Sequence, residues 1–128
     1  MRLLVSVVCA AALVAPSALA RSLQIHGVTG YLSEYELTAE VSGPLADGGT
    51  EELSGPLNVK HVGLCTHDGP NEVQGQLKIQ FFGLSQVIHA TLKYDGRACT
   101  YRGFLSESTT GFMICTDKLT LPLRLWAK

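Results

Sequence analysis

VQGQLKIQFFGLSQVIHATLKYDGRACTY, residues 73 to 101, is the stretch on which the fold turns. Val73, Gly75, Leu77, Ile79 and Phe81 alternate with Gln74, Gln76, Lys78 and Gln80. A period of two puts alternate side chains on opposite faces, which is the signature of a half-buried strand. The turns inside the stretch test that reading, because a tight hairpin fixes register and a wrong register would mix the faces. Asp95-Gly96 favours a type I′ turn, which pairs Tyr94 with Arg97, Leu92 with Cys99 and Ala90 with Tyr101. Gly83-Leu84, with glycine first, favours type II′ and predicts Ile79 opposite Ile88, Leu77 opposite Ala90 and Gly75 opposite Leu92. Both turns align one apolar face across three strands, and agreement between local and global patterns marks a foldable sequence.

The same register arithmetic runs outward in both directions. A loop centred on Glu107 places Cys99 beside Cys115 and Tyr101 beside Met113, whereas a shift of one residue would pair Phe104 with Phe112. A three-residue connection at Asp117-Lys118-Leu119 then sets Cys115 near Leu121 and Met113 near Leu123. Leu119, Leu121, Leu123 and Leu125 keep the apolar face, and Pro122 within that run opposes a helix. Upstream, Tyr35, Leu37, Ala39 and Val41 alternate with Glu36, Thr38, Glu40 and Ser42. The Gly- and acid-rich stretch Ser42 to Ser54 reads as a loop before a weaker strand over about Leu57 to Leu64, and Cys65 to Asn71 as the next connection. The result is seven strands, or eight if Leu23 to Thr29 joins. Short sequential hairpins imply an up-and-down meander, whose closure removes exposed edges. The expected fold is therefore all-β, a small antiparallel barrel, with a β-sandwich as the alternative.

The N-terminus bears on location. Met1-Arg2, an apolar run from Leu3 to Ala15 and Pro16-Ser17-Ala18-Leu19-Ala20 read as a secretory signal cleaved before Arg21. That run is short of the roughly 20 apolar residues a membrane span needs. Residues 1–20 are thus expected to be removed, Cys9 with them, leaving a single domain over residues 21–128. The expected location is periplasmic or extracellular, with no transmembrane segment after cleavage. Without Arg2, nine basic residues scattered along the chain face 11 acidic ones, a balance of about minus two, which opposes a nucleic-acid partner. Cys65, Cys99 and Cys115 survive cleavage, and an odd count outside the cytoplasm suggests one disulfide and one leftover thiol. Cys99 with Cys115 fits the strand register, and Cys65 with either one is an equal competitor.

Chemistry-bearing constellations are sparse. His61, Cys65, His67 and Asp68 are the only concentration of metal-ligating types, but four residues along a strand span some 13 Å, and zinc needs convergent ligands. No metal, cofactor or catalytic residue is expected. His89 falls on the face opposite Ile88 and Leu92, and no GxSxG elbow is present. Aromatics carry more interest: Tyr31, Tyr35, Tyr94, Tyr101 and Trp126 suit a barrel mouth, where rings serve packing and recognition together. Tyr35 and Tyr101 share parity with apolar neighbours, whereas Trp126 lies with Thr120 and Arg124 on the other face. Trp126, Tyr31 and Tyr35 are the candidate interface residues, Trp126 foremost because tryptophan is enriched in binding hot spots.

The architecture resembles that of small exported bacterial β-barrels, a group that includes ligand carriers and inhibitors of lysozyme or proteases. The likeness is one of fold, and no functional residue carries over. A stable all-β scaffold without a catalytic constellation points instead to a non-enzymatic binding module whose partner is an unknown protein or a small apolar ligand. A secreted hydrolase using a loop histidine and a structural envelope-associated protein are the rivals.

Overall fold

The computed structural model describes residues 20–44, 49–62 and 72–128. Eight strands follow in chain order: β1 (Ala20–Thr29), β2 (Tyr35–Pro44), β3 (Thr50–His61), β4 (Glu72–Phe82), β5 (Val87–Tyr94), β6 (Arg97–Phe104), β7 (Gly111–Cys115) and β8 (Thr120–Ala127). Each pairs antiparallel with the next, and β1 returns to pair with β8, so the sheet closes into a barrel. The segment around Leu23 to Thr29 supplies the closing strand, and the sandwich alternative falls away. Residue Ala20, placed by the sequence at the end of the signal, belongs to β1, while residues 1–19 lie outside the described part.

Alternation builds the core. Leu37, Leu53, Leu57, Leu77, Ile79, Leu92, Tyr101, Met113 and Leu123 point inward and are at most 2% exposed. These side chains fill the barrel, as expected for a small eight-stranded closure. Tyr101 is the largest of them. Its hydroxyl donates to the carbonyl of Phe104 at 2.8 Å. Its ring lies over Gly103 and Gly111, where a Cβ would come within 2.6 Å of the hydroxyl and 2.8 Å of the ring. Two glycines thus make the space that one tyrosine occupies.

The hairpin at Asp95-Gly96 has the expected register, with both residues at positive φ, 51° and 73°. The loop around Glu107 likewise pairs Cys99 with Cys115 and Tyr101 with Met113. Two other turns differ. Gly83 to Gln86 form a four-residue loop, so Ile79 faces Ala90, Leu77 faces Leu92 and Gly75 faces Tyr94. Gly83 does take a positive φ of 55°, but the Ser85 N–H closes a turn onto the Phe82 carbonyl and the Ser85 hydroxyl accepts from Val87 N–H. That side-chain bond favours the longer loop and adds the Phe81 with Ile88 rung. The last hairpin turns one residue earlier than expected, at Thr116-Asp117-Lys118, with Lys118 at φ 62°. Met113 therefore faces Leu121 and Gly111 faces Leu123. Both displacements move the register by two, so every side chain keeps its face.

The Ser42 to Ser54 loop is also corrected. β2 continues to Pro44 and β3 begins at Thr50, placing Leu53 fully inside, while β3 stops at His61 rather than Leu64. Composition hid the alternation here, because the inward position 51 is a glutamate held by Arg21 at 2.9 Å. The Cys65 to Asn71 connection, with Cys65, His67 and Asp68, lies outside the described residues. Cys99 and Cys115 form a disulfide, which removes the pairings of Cys65 with either. A disulfide suits an oxidising compartment. No helix among the described residues is long and apolar enough to cross a membrane.

Candidate functional site at the mouth of the barrel

The two ends of the barrel are built differently. At the end where β1 starts, Arg21 turns inward, pairs with Glu51 and lies 5.3 Å from the Phe81 ring centre. Leu105, just past β6, bridges to Leu125 and draws the β6–β7 connection over the same end. That end is capped. At the other end the inward residues are Tyr35 on β2, Val59 and His61 on β3, Val73 on β4, Tyr94 on β5, Arg97 on β6 and Leu121 on β8. Together with Asp95 they line an open cavity of about 320 Å³.

Register explains why these side chains meet. Tyr35 sits directly opposite His61, and their rings approach to 4.9 Å at a tilt of 51°. The Asp95-Gly96 turn sets Tyr94 opposite Arg97, whose guanidinium lies 5.9 Å from the phenol ring centre. On the other side of Tyr94 stands Gly75, where a Cβ would come within 2.8 Å of the tyrosine's own Cβ. Arg97 also reaches Asp117 at 3.5 Å, joining β6 to the β7–β8 turn. One residue along the same face of β6 is Cys99, so the disulfide braces the wall beneath Arg97.

The chemistry is amphipathic. Val59 and Leu121 are buried beneath the cavity and supply an apolar floor. The rim supplies two phenols, an imidazole and a guanidinium, each with a flat face and polar atoms at its edge. Burial raises the Tyr94 phenol above its usual value of 10.0, against the opposing hydrogen bond and charge of Arg97. The phenol is therefore a neutral donor at physiological pH. Such a lining suits a small, largely apolar ring that meets a few polar groups at the rim. Among the described residues no group of three His, Cys, Asp or Glu side chains is placed to hold a metal ion.

The sequence-selected residues are not brought to one place. Tyr35 is in the mouth. Tyr31, 72% exposed in the β1–β2 turn, donates its hydroxyl to the Thr120 carbonyl at 2.9 Å near the same rim. Trp126 is six residues further along β8 from Thr120, about 20 Å away at strand rise. It lies half-buried on the outer wall, with the His26 ring stacked at 6.3 Å and the Arg124 guanidinium at 5.4 Å. His61 and Arg97 are the mouth residues that sequence reasoning missed. In the sequence His61 stands out as a histidine for metal or hydrolytic chemistry and Arg97 as a turn partner, although the pairing of Arg97 with inward Tyr94 already places it inside. Comparison with known proteins finds no family model, no curated protein and no solved structure that matches the chain.

Proposed function

We propose that this is an exported, non-enzymatic binding module that receives a small, largely apolar ligand at the mouth of a filled barrel. One observation carries the reading. The cavity ringed by Tyr35, His61, Tyr94 and Arg97 opens over an apolar floor, while the interior below it is occupied by the protein's own side chains. A ligand would therefore seat at the rim rather than enter the barrel. Export rests on the N-terminal pattern and agrees with the Cys99–Cys115 disulfide.

The test is a screen of small aromatic and alicyclic fragments against the mature protein, followed by amide chemical shifts. Hits should perturb Tyr35, His61, Tyr94 and Arg97 and lose affinity about tenfold or more in Tyr94→Ala, as for removal of a central aromatic anchor. Mass spectrometry of the secreted protein should give Arg21 as first residue. A second reading, a protein partner, has its own observation: Phe112 and Ile114 project from β7 at 61% and 60% exposure. Fragment-induced shifts confined to β7, with the mouth silent, would replace the first reading by the second.

A further inference from the structure

A separate constellation lies on the outer wall, away from the mouth. Strand pairing aligns Trp126 with His26, His26 with Thr38, Thr38 with Asn58, and Asn58 with Gln74. These five residues form one straight row across β8, β1, β2, β3 and β4. Their chain neighbours Ile25, Leu37, Leu57, Val59 and Leu125 are buried, so the row faces outward. Adjacent strands lie about 4.8 Å apart, which makes the row about 19 Å long. A groove of about 320 Å³ runs over it from His26 to Gln74.

The chemistry of the row differs from that of its surroundings. It holds an indole, an imidazole, a hydroxyl and two carboxamides, with no carboxylate, lysine or arginine. The next row towards the mouth is charged, with Glu36 opposite Lys60 and Lys60 opposite Glu72. On the far side the groove is bounded by Gln24, Glu40 and Pro56. Pro56 has no N–H to give, and the β2–β3 ladder is interrupted there, between the Ala39–Leu57 and Ser42–Ser54 pairs. Within the groove the Asn58 side-chain oxygen is buried and makes no hydrogen bond among the described residues. Buried acceptors without a partner are uncommon, and a small turn of the Asn58 amide at the floor of the groove would offer it to a molecule lying there.

We infer that this row is a binding site for a neutral, linear oligosaccharide lying across the strands. The flat apolar face of one sugar ring rests on Trp126 beside His26, as rings of mixed polarity favour. Hydroxyls of the following sugars meet Thr38, Asn58 and Gln74, whose hydroxyl and amide groups donate and accept alike. A polyhydroxylated chain offers both senses of hydrogen bond without charge. The row itself offers an anionic polymer no cation; Lys60 and Arg124 stand one row towards the mouth, in line with Glu36 and Glu72, and Glu40 lies on the other side.

Trp126 is the only tryptophan of the chain, so intrinsic fluorescence reports on one end of the row. The experiment titrates the mature protein with cellotetraose, maltotetraose and chitotetraose, and with tetragalacturonate as the charged comparison. A saturable change in Trp126 emission with a neutral tetrasaccharide, and none with the charged one, is expected. By calorimetry, Asn58→Ala and Gln74→Ala should each weaken binding about fivefold, as for a lost hydrogen bond. Both side chains face outward, and circular dichroism verifies the fold of each variant. Leu84 is fully exposed in the β4–β5 loop and outside the row, so Leu84→Ala should leave the affinity unchanged. The inference is overturned if no neutral tetrasaccharide changes the emission or the amide shifts of the row, if tetragalacturonate binds equally well, or if both amide variants bind like the wild type.

Discussion

The two halves of this barrel hold together by different means. Strands β1 to β4 are 10 to 12 residues long, and β3 pairs with β4 along an unbroken ladder from Thr50 to Lys60. In the other half β7 has only five residues, and it meets β6 over three rungs and β8 over four. The disulfide sits on the first of those three rungs and the Tyr101 ring beside the last. Where main-chain pairing is short, a covalent bond and one large ring provide the closure. The long half needs neither, and tolerates both Pro56 in a strand and an inward ion pair.

The comparison breaks most visibly at the disulfide. Cys115→Ala should cost about 3 kcal/mol, the loop-entropy value for a crosslink of this span, given the 16-residue separation of the two cysteines. Urea unfolding of the mature protein measures it. Hydrogen exchange should then show β7 and β8 opening before β3 and β4, and uniform loss of protection would contradict the division. Next comes Gly103→Val, which drives side-chain atoms into the Tyr101 hydroxyl. Overpacking of this kind costs about 1–3 kcal/mol. Combining it with Tyr101→Leu should recover part of the loss, and strict additivity would show that the two positions do not share space.

Smaller effects sharpen the same contrast. Glu51→Gln removes the inward ion pair of the long half, but Arg21 is 40% exposed, so the change should stay at or below about 0.5 kcal/mol and shrink in salt. Alkaline pH acts last. Burial holds the Tyr94 and Tyr101 phenols above 10.0 in the folded protein, with Arg97 opposing the shift at Tyr94. The unfolded chain therefore loses these protons first, and the folded state binds more protons in the window above pH 10. Their contribution is complete below pH 10 and is lost as pH climbs through the raised values. Tyr101→Phe should flatten the alkaline limb of a stability profile while leaving neutral-pH behaviour to the lost hydrogen bond with Phe104.

Much of this fold was legible because alternation is a face signal and survives error in register. The Gly83-Leu84 and Asp117-Lys118-Leu119 turns were each displaced, yet displacement by two left Leu77, Ile79, Met113 and Leu123 inside. What failed was the reading of Thr50 to Leu53, where an inward glutamate and neighbouring glycines disguised a strand whose charge is met by Arg21 from another strand. A partner 30 residues away leaves no local trace. The candidate mouth is half visible for the same reason: Tyr35 and Tyr94 carry a parity, but the meeting of Tyr35 with His61 depends on β2–β3 pairing across an acid-rich segment that reads as a loop. The outer row depended on four registers at once, one of them the closure of β1 on β8.

That closure also decides how the molecule can be recognised. In an open sheet an edge strand presents unpaired main-chain groups, and a partner can extend the sheet almost irrespective of sequence. Here Ile25 to Thr29 of β1 are joined to β8, and the ladder that a visiting strand would use is already taken. Whatever meets this protein along that seam has to read side chains. Its specificity is then a matter of residue identity, open to change one substitution at a time without disturbing the scaffold.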